Sequence, residues 1–161
     1  MQPTSKKIFL IMYVLVFMLS ACKANIARND DGTLTVETAI SQQELQDVVS
    51  AAIADPLVKN LTVTLQSGYV LVSGERQRLN DASTSDILTF RVDLTVTNGQ
   101  LTSSISNAQL DGQSVEQNRI DHWNQTIANR LSNPGQRSQN STLQSISISP
   151  EAVTMTWIVT T

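Results

Sequence analysis

The sequence is poor in residues that form covalent cross-links or metal centres. Its 161 residues include one cysteine, Cys22, and one histidine, His122. A single cysteine excludes an intramolecular disulfide, a Cys-x-x-Cys redox pair and a zinc site built from thiolates. The fold must therefore be held by packing alone, for which a mature chain of about 140 residues is long enough.

Basic residues are also few, and they are scattered along the chain. Lysine and arginine together number 11 against 14 aspartates and glutamates, which leaves a net charge of −3. Nucleic acid binding requires a basic patch or run, and neither is present. Electrostatic attraction to an anionic membrane is excluded for the same reason, so any membrane contact must use an attached lipid or apolar surface.

Motifs that carry catalysis are absent. The chain has no GxSxG, HExxH or GxxxxGK[ST] sequence. His122 is read either as a general base or metal ligand, or as a polar-face residue; the second is favoured because no orienting partner or nucleophile accompanies it. Asp81 and Asp86 lie in a polar loop whose spacing does not match a calcium loop. We therefore predict no enzymatic activity, no metal and no cofactor.

What the chain does have is an N-terminal export signal. Met1–Lys7 is basic, Ile8–Leu19 is apolar and uncharged, and small residues precede Cys22. This order is typical of a secretory signal, and the apolar run is too short to span a bilayer. The stretch LSAC (Leu19–Cys22) resembles the bacterial lipobox, whose cysteine receives acyl chains such as palmitate and becomes the first mature residue.

This resemblance implies three segments. Residues 1–21 are the lipoprotein signal peptide, residues 22–32 hold the lipidated cysteine and a short polar tether, and residues 33–161 form a single domain. The protein would then lie on the extracytoplasmic face of the cell membrane or the outer membrane, held by its lipid anchor.

The domain begins with a strand and a capped helix. Leu34–Ile40 alternates apolar and polar residues, as a strand does. Ser41 and Glu44 have the spacing of a capping box, and apolar residues recur at helical spacing through Ile53. Asp55-Pro56 ends this helix, because a residue before proline disfavours helical geometry.

Antiparallel strands follow, the clearest being Ile87–Thr97, in which five apolar residues alternate with polar ones. Asn98-Gly99 is the preferred dipeptide of a type I′ hairpin and leads into a return strand, Gln100–Leu110. A second amphipathic helix is predicted over Val115–Leu131, with Ser114 and Gln117 as a further capping box. Other strands are predicted at Leu61–Leu65, Tyr69–Val72, Thr142–Ser149 and Ala152–Thr160.

The segregation of helices and strands predicts an α+β fold, with one curved antiparallel sheet of about six to seven strands packed against two amphipathic helices. The apolar faces permit two interpretations. They form a closed hydrophobic core, or they leave a groove between helices and sheet that accepts an acyl chain. Periodicity does not separate these, because both need the same residue types.

The order of elements resembles bacterial TULIP-like (tubular lipid-binding) proteins, including the LmeA-like domains. The matching segments are SQQELQDVVSAAI (41–53), VDLTVTNGQLTSSISNAQLDGQSV (92–115) and NQTIANRLSN (124–133). The resemblance implies a half-barrel around a cavity for a phospholipid, a fatty acyl chain or another hydrophobic ligand. Carried over position by position, it implies these lining residues: Val48, Val49, Phe90, Val92, Leu94, Ile120, Trp123, Ile127, Met155 and Trp157.

Two functions are expected from this sequence. The first is a membrane-anchored lipoprotein that binds a lipid or other hydrophobic ligand between helices and sheet. The alternative is a closed cell-envelope module that binds a protein partner of unknown identity and holds no small ligand. An enzyme acting on envelope lipid or glycan is not favoured, because no nucleophile–base pair is recognisable.

Overall fold

A computed structural model describes residues 24–81, 83–132 and 140–160. The predicted signal peptide, Cys22 and the loop that follows the second helix lie outside these residues. The fold is α+β, as predicted, with two helices and nine strands among the described residues. Their bounds are β1 Ala24–Arg28, β2 Leu34–Ile40, α1 Gln42–Ile53, β3 Val58–Gln66, β4 Tyr69–Gln77, β5 Ser85–Thr97, β6 Gln100–Leu110, β7 Gln113–Ser114, α2 Gln117–Ser132, β8 Ser141–Ile148 and β9 Val153–Val159.

The strands form two open antiparallel sheets, so the prediction of one sheet with six to seven strands is wrong. The first sheet has the order β1-β2-β9-β8 and the second the order β3-β4-β5-β6-β7. The difference arises because β2 pairs along its whole length with β9, near the other end of the described chain. Alternation within a strand shows which face is apolar, but it does not show which distant strand is the neighbour.

The two sheets meet at β8. The backbone N–H of Leu143 donates to the carbonyl of Gly99 at 3.0 Å, and the N–H of Gly68 donates to the carbonyl of Ile148 at 2.9 Å. Gly99 and Gly68 lie in the β5–β6 and β3–β4 turns, so the hairpin ends of the five-stranded sheet rest against β8.

Five residues of the segment predicted as a tether, Ala24–Arg28, form a strand. β1 pairs with β2 from Ala24↔Thr38 to Arg28↔Leu34. The segment lacks strong alternation, and all five of its residues are exposed. Backbone hydrogen bonds to β2 therefore form this strand, and a search for an apolar face misses it.

The helix α1 begins as predicted. The Ser41 side chain accepts a hydrogen bond from the Glu44 backbone N–H at 3.3 Å, and the Glu44 carboxylate accepts one from the Ser41 N–H at 2.8 Å. This reciprocal capping box satisfies two N–H groups that the first helical turn leaves without partners. The helix ends at Ile53, and Ala54 adopts a left-handed conformation just before Asp55-Pro56.

The capping box predicted for the second helix is wrong. Ser114 lies in β7 and pairs with Gln109 of β6. The helix α2 begins only at Gln117, whose side-chain amide donates to Asp121 at 2.8 Å, one turn further along the helix. The sequence has the spacing of a capping box, but Ser114 pairs with β6 as part of β7 and therefore does not cap the helix.

The central hairpin β5–β6 is confirmed. Asn98 and Gly99 both have positive φ, 52° and 76°, as a type I′ turn requires. Leu88, Phe90 and Val92 of β5 are buried, and the residues between them face outward. They belong to one apolar core cluster that also contains the inward faces of α1, α2 and β9.

Gly99 is constrained by β8, and we expect Gly99→Ala to destabilise the domain. A β-carbon at this position would lie 2.5 Å from Thr142 Cγ2. The backbone at Gly99 is also left-handed, with φ of +76°, which strains any residue other than glycine. Gly68 is the matched control, since its φ is +89° but nothing lies within 4 Å of an added β-carbon. Urea unfolding should show a loss of about 1–2 kcal/mol for Gly68→Ala from the backbone alone. It should show about 1–3 kcal/mol more for Gly99→Ala.

The added loss should disappear when Thr142→Ser removes the methyl group from the Gly99→Ala protein. Equal losses at Gly99 and Gly68 would contradict the close packing of this turn against β8.

Candidate functional site

The ten residues implied as a lipid-binding lining come together in the interior. They lie on α1, α2, β5 and β9, and all belong to the core or pack against it. Nine are buried, and Val48 is partly exposed. The two-sheet fold thus brings the predicted residues together, and it places them in contact as a hydrophobic core.

Phe90 and Trp123 illustrate this packing. The Phe90 ring on β5 stacks on the Trp123 ring of α2, with centroids 5.5 Å apart and planes 27° apart. Both side chains are 3% exposed. The space beside Trp123 that a ligand would occupy is therefore filled on this side by Phe90.

Trp157 differs from its apolar neighbours by an unused polar group. Its side chain is 2% exposed, yet its indole Nε1–H has no hydrogen-bond partner in the described part of the chain. A buried donor without an acceptor costs about 1–3 kcal/mol, and such groups are rare in native interiors. This N–H is therefore a fully buried donor in the core that is available to a polar atom of a ligand.

An open depression lies on the opposite face of the five-stranded sheet, away from the helices. We call it the outer groove; its volume is about 630 Å³, within the usual range for ligand sites. Its lining residues come from four adjacent strands: Thr62, Thr64, Tyr69, Leu71, Val72, Ser73, Thr89, Phe90, Arg91, Asn107 and Gln109.

Two β-bulges flank the outer groove. In the β3–β4 pair, Asn60 and Leu61 oppose Gly74, and in the β5–β6 pair, Asn107 and Ala108 oppose Phe90. Asn60 and Asn107 both adopt positive φ, 51° and 53°, which asparagine tolerates better than most residues. Bulges bend the strand that contains them, so these two shape the polar face of the sheet around the groove.

The lining of the groove includes one charged side chain, Arg91, which is paired with Asp93 on the same strand. Arg91 Nε donates to Asp93 Oδ2 at 2.9 Å, and the guanidinium carbon lies 4.2 Å from the centroid of the Tyr69 ring. The hydrogen bonds to Asp93 raise the pKa of the Arg91 guanidinium. Arg91 is thus held between a carboxylate and an aromatic ring, and its charge is balanced locally.

The sequence interpretation missed the outer groove. The available signal was the polar face of Ile87–Thr97, which was identified only as the wet side of the sheet. Two bulges border the groove on this face, and their positions depend on strand register.

A second depression, of about 520 Å³, lies near the end of β6 and the start of α2. Arg78 crosses it, donating to Asp86 at 2.6 Å and to Asp111 at 3.3 Å. Arg78, Asp86 and Asp111 are engaged with one another, and they connect the β4–β5 loop to the β6–β7 turn. We interpret this depression as a structural junction.

Asp55 organises the neighbouring ion pairs. Its carboxylate accepts a hydrogen bond from Arg76 Nε at 2.8 Å and another from the Leu57 backbone N–H at 3.0 Å. Arg119 of α2 lies 3.6 Å away, with its guanidinium over Trp123. Burial opposes ionisation of Asp55, but these hydrogen bonds and the two arginines outweigh it and lower its pKa.

We expect Asp55→Asn to destabilise the domain by about 1–3 kcal/mol at pH 7, since it removes a charge-assisted hydrogen bond to Arg76. The Asp55 side chain is only 13% exposed, so water screens this hydrogen bond little. Because the folded pKa is lowered, the contribution of Asp55 is present above its unfolded value of about 3.9. It is lost as the pH falls through the folded pKa, so the difference from wild type should narrow below about pH 4.

Urea unfolding at several pH values measures this effect. Asp47→Asn on the exposed face of α1 is the control and should change stability by less than about 0.5 kcal/mol. A pH-independent difference for Asp55→Asn would contradict the ion-pair account.

The remaining polar residues considered from the sequence have ordinary places. His122 is exposed on α2. The Asp81 carboxylate accepts hydrogen bonds from the Ser83 backbone and hydroxyl at 3.0 and 2.6 Å, and Asp86 is paired with Arg78. Among the described residues, no three histidine, cysteine, aspartate or glutamate side chains come together as a metal site requires.

Two findings complete the description of the site. Neither helix of the described chain is long and apolar enough to cross a bilayer. The two candidate positions for a ligand are the core around Trp157 and the outer groove. Comparison of the chain with protein-family models, with curated proteins and with solved structures finds no match.

Proposed function

We propose that this protein is a bacterial lipoprotein, lipidated at Cys22 and held on the extracytoplasmic face of the cell membrane or the outer membrane. The signal-like N-terminus supports this proposal. The position of β1 sets the distance between such an anchor and the domain, because the first described strand starts at Ala24. From Cys22 to Ala24 the chain advances two residues, which span at most about 7 Å, so the folded domain would lie against the membrane surface.

We further propose that the domain is a closed binding module, which recognises a component of the cell envelope on its surface and performs no chemistry. One observation carries this function. The interior residues that would line a ligand cavity are packed against one another, whereas the outer groove is open. A ligand at the groove needs no rearrangement of the core, while a ligand in the interior must displace packed side chains.

A photo-crosslinking residue at Leu71 tests this function. Leu71 lines the outer groove and is 43% exposed. In cells that express the full chain, irradiation should join the protein to a defined envelope component. The same crosslinker at Leu79, which is 84% exposed and outside the groove lining, is the matched control. Identical products at both positions, or none at Leu71, would contradict binding at the groove.

The second candidate function is the binding of a lipid between helices and sheets, in a TULIP-like half-barrel. The buried Nε1–H of Trp157 favours it, because this donor lies amid apolar residues and has no acceptor among the residues that the structure describes. A phospholipid or acyl ester would supply a carbonyl oxygen there and an apolar chain for the surrounding core. The packed side chains of the core would have to move apart to admit the acyl chain of the lipid.

Native mass spectrometry and lipid extraction of the full chain purified from membranes test this candidate. It predicts a bound lipid in addition to the covalent anchor, and weaker retention in Trp157→Phe, which lacks the indole N–H. Protein that is free of lipid and that fails to take up a fluorescent acyl ester would exclude it and leave the surface-binding function standing.

A further inference from the structure

We propose that the outer groove binds an uncharged, hydroxyl-rich oligosaccharide. This inference rests on the proposed surface-binding function and specifies its ligand class. It follows from three properties of the groove: its unpaired polar groups, its balanced charge and its mixture of apolar and polar surface.

The groove offers hydrogen-bonding groups that no other residue uses. The side chains of Thr64, Ser73, Thr89, Asn107 and Gln109 form no hydrogen bond with the rest of the described chain. Each hydroxyl and each amide both donates and accepts, as the hydroxyl groups of a sugar do. Because these side chains stand on a hydrogen-bonded sheet, a ligand can engage them without breaking existing protein contacts or ordering a loop.

The charge of the groove selects against ionic ligands. Arg91 is the only charged residue in its lining. Its guanidinium is already bonded to the Asp93 carboxylate and stacked on Tyr69. An anionic ligand would have to compete with Asp93 for this cation, and a cationic ligand would find no free carboxylate among the lining residues.

Leu71 and Tyr69 supply the apolar part of the surface. Leu71 projects outward from β4, and Tyr69 lies half-buried at the start of the same strand, two residues before it. A pyranose ring has C–H faces as well as hydroxyl edges, so a surface that combines apolar side chains with hydroxyls and amides complements it. A fully apolar ligand would leave those hydroxyls and amides without water or a partner.

A protein partner is less well matched to this surface. Protein interfaces are enriched in aromatic residues, methionine and available arginine, and depleted in serine. Here the groove is mainly threonine, serine, asparagine and glutamine, and its arginine is engaged. Peptides that extend a sheet bind to the backbone of its edge strand, whereas the groove lies on the face of the sheet and extends from β3 across β4 and β5 to β6.

Saturation-transfer NMR tests the proposal on the full chain in dodecylphosphocholine micelles, a detergent without a sugar headgroup. The probes are maltotriose, cellotriose and triacetylchitotriose, with trigalacturonate as the anionic control. We expect at least one uncharged trisaccharide to bind and trigalacturonate not to bind. Thr89→Val and Gln109→Ala should each weaken binding about fivefold, the effect of one hydrogen bond.

Thr95→Val is the matched control, because Thr95 lies on the same strand and is exposed, but outside the groove. Equal weakening by Thr95→Val would overturn the site. If no trisaccharide binds while the Leu71 crosslinker captures an envelope protein, the oligosaccharide inference fails and the surface-binding function stands. If neither sugar nor crosslinked product is found, both fail.

Discussion

Replacing Cys22 with alanine is expected to abolish incorporation of a fatty-acid analogue, the largest change that we predict for any single substitution. Acyl chains contribute about 0.8 kcal/mol of membrane affinity for each buried CH₂, and more than one chain makes the anchor stable. Loss of the thiol removes the attachment point for all of them, because the chain has no second cysteine. Metabolic labelling followed by in-gel detection measures the result directly.

Ser20→Ala is the matched control for this experiment, since it alters the same signal but keeps a small residue and the thiol. It should retain the label. Membrane association alone does not show that Cys22 is lipidated, because an uncleaved signal with the apolar run Ile8–Leu19 also associates with a bilayer. Label that survives Cys22→Ala, or a wild-type protein that takes up none, would contradict lipidation at this position.

Truncating Ile127 to alanine is expected to destabilise the domain by about 2–5 kcal/mol. Ile127 lies on the inward face of α2 and is 0% exposed. In a filled core, removing its methyl and methylene groups leaves a cavity that neighbouring side chains refill only in part. Urea unfolding of the full chain, with Ile26→Ala as the exposed control, provides the measurement.

Ile26 is suited to this comparison because it is an isoleucine that is 67% exposed, on the edge strand β1. Its truncation should change stability by less than about 0.5 kcal/mol. The difference between the two substitutions also bears on function. A side chain that borders an existing cavity loses fewer contacts on truncation, so a loss below about 1 kcal/mol at Ile127 would favour the lipid-binding candidate over the closed module.

The local signals in the sequence predicted most of the secondary structure. The capping box at Ser41 and the Asn98-Gly99 turn act within a few residues, and the structure has both. The five-residue alternation in β5 likewise needs only the pleat of one strand. The same reasoning failed for Ser114, where a local capping pattern was present but pairing with β6 took precedence.

The candidate site was predictable only in part. Apolar periodicity identified residues that share the interior, and Phe90 and Trp123 are in fact in contact. Whether such residues enclose a cavity depends on the distance between layers, which no local pattern encodes. The outer groove depends on the bulges at Asn60 and Asn107, and these arise from register shifts between strands.

The sequence by itself determined the lone cysteine, the helical and strand faces and the absence of a basic run, and it predicted an export signal, since each is a property of composition or of neighbouring residues. Only the tertiary structure decided that β2 joins β9, that the strands divide into two sheets and that the polar face of one sheet is concave. Those features depend on pairing between distant segments, where backbone hydrogen bonding and packing of the whole core select one register.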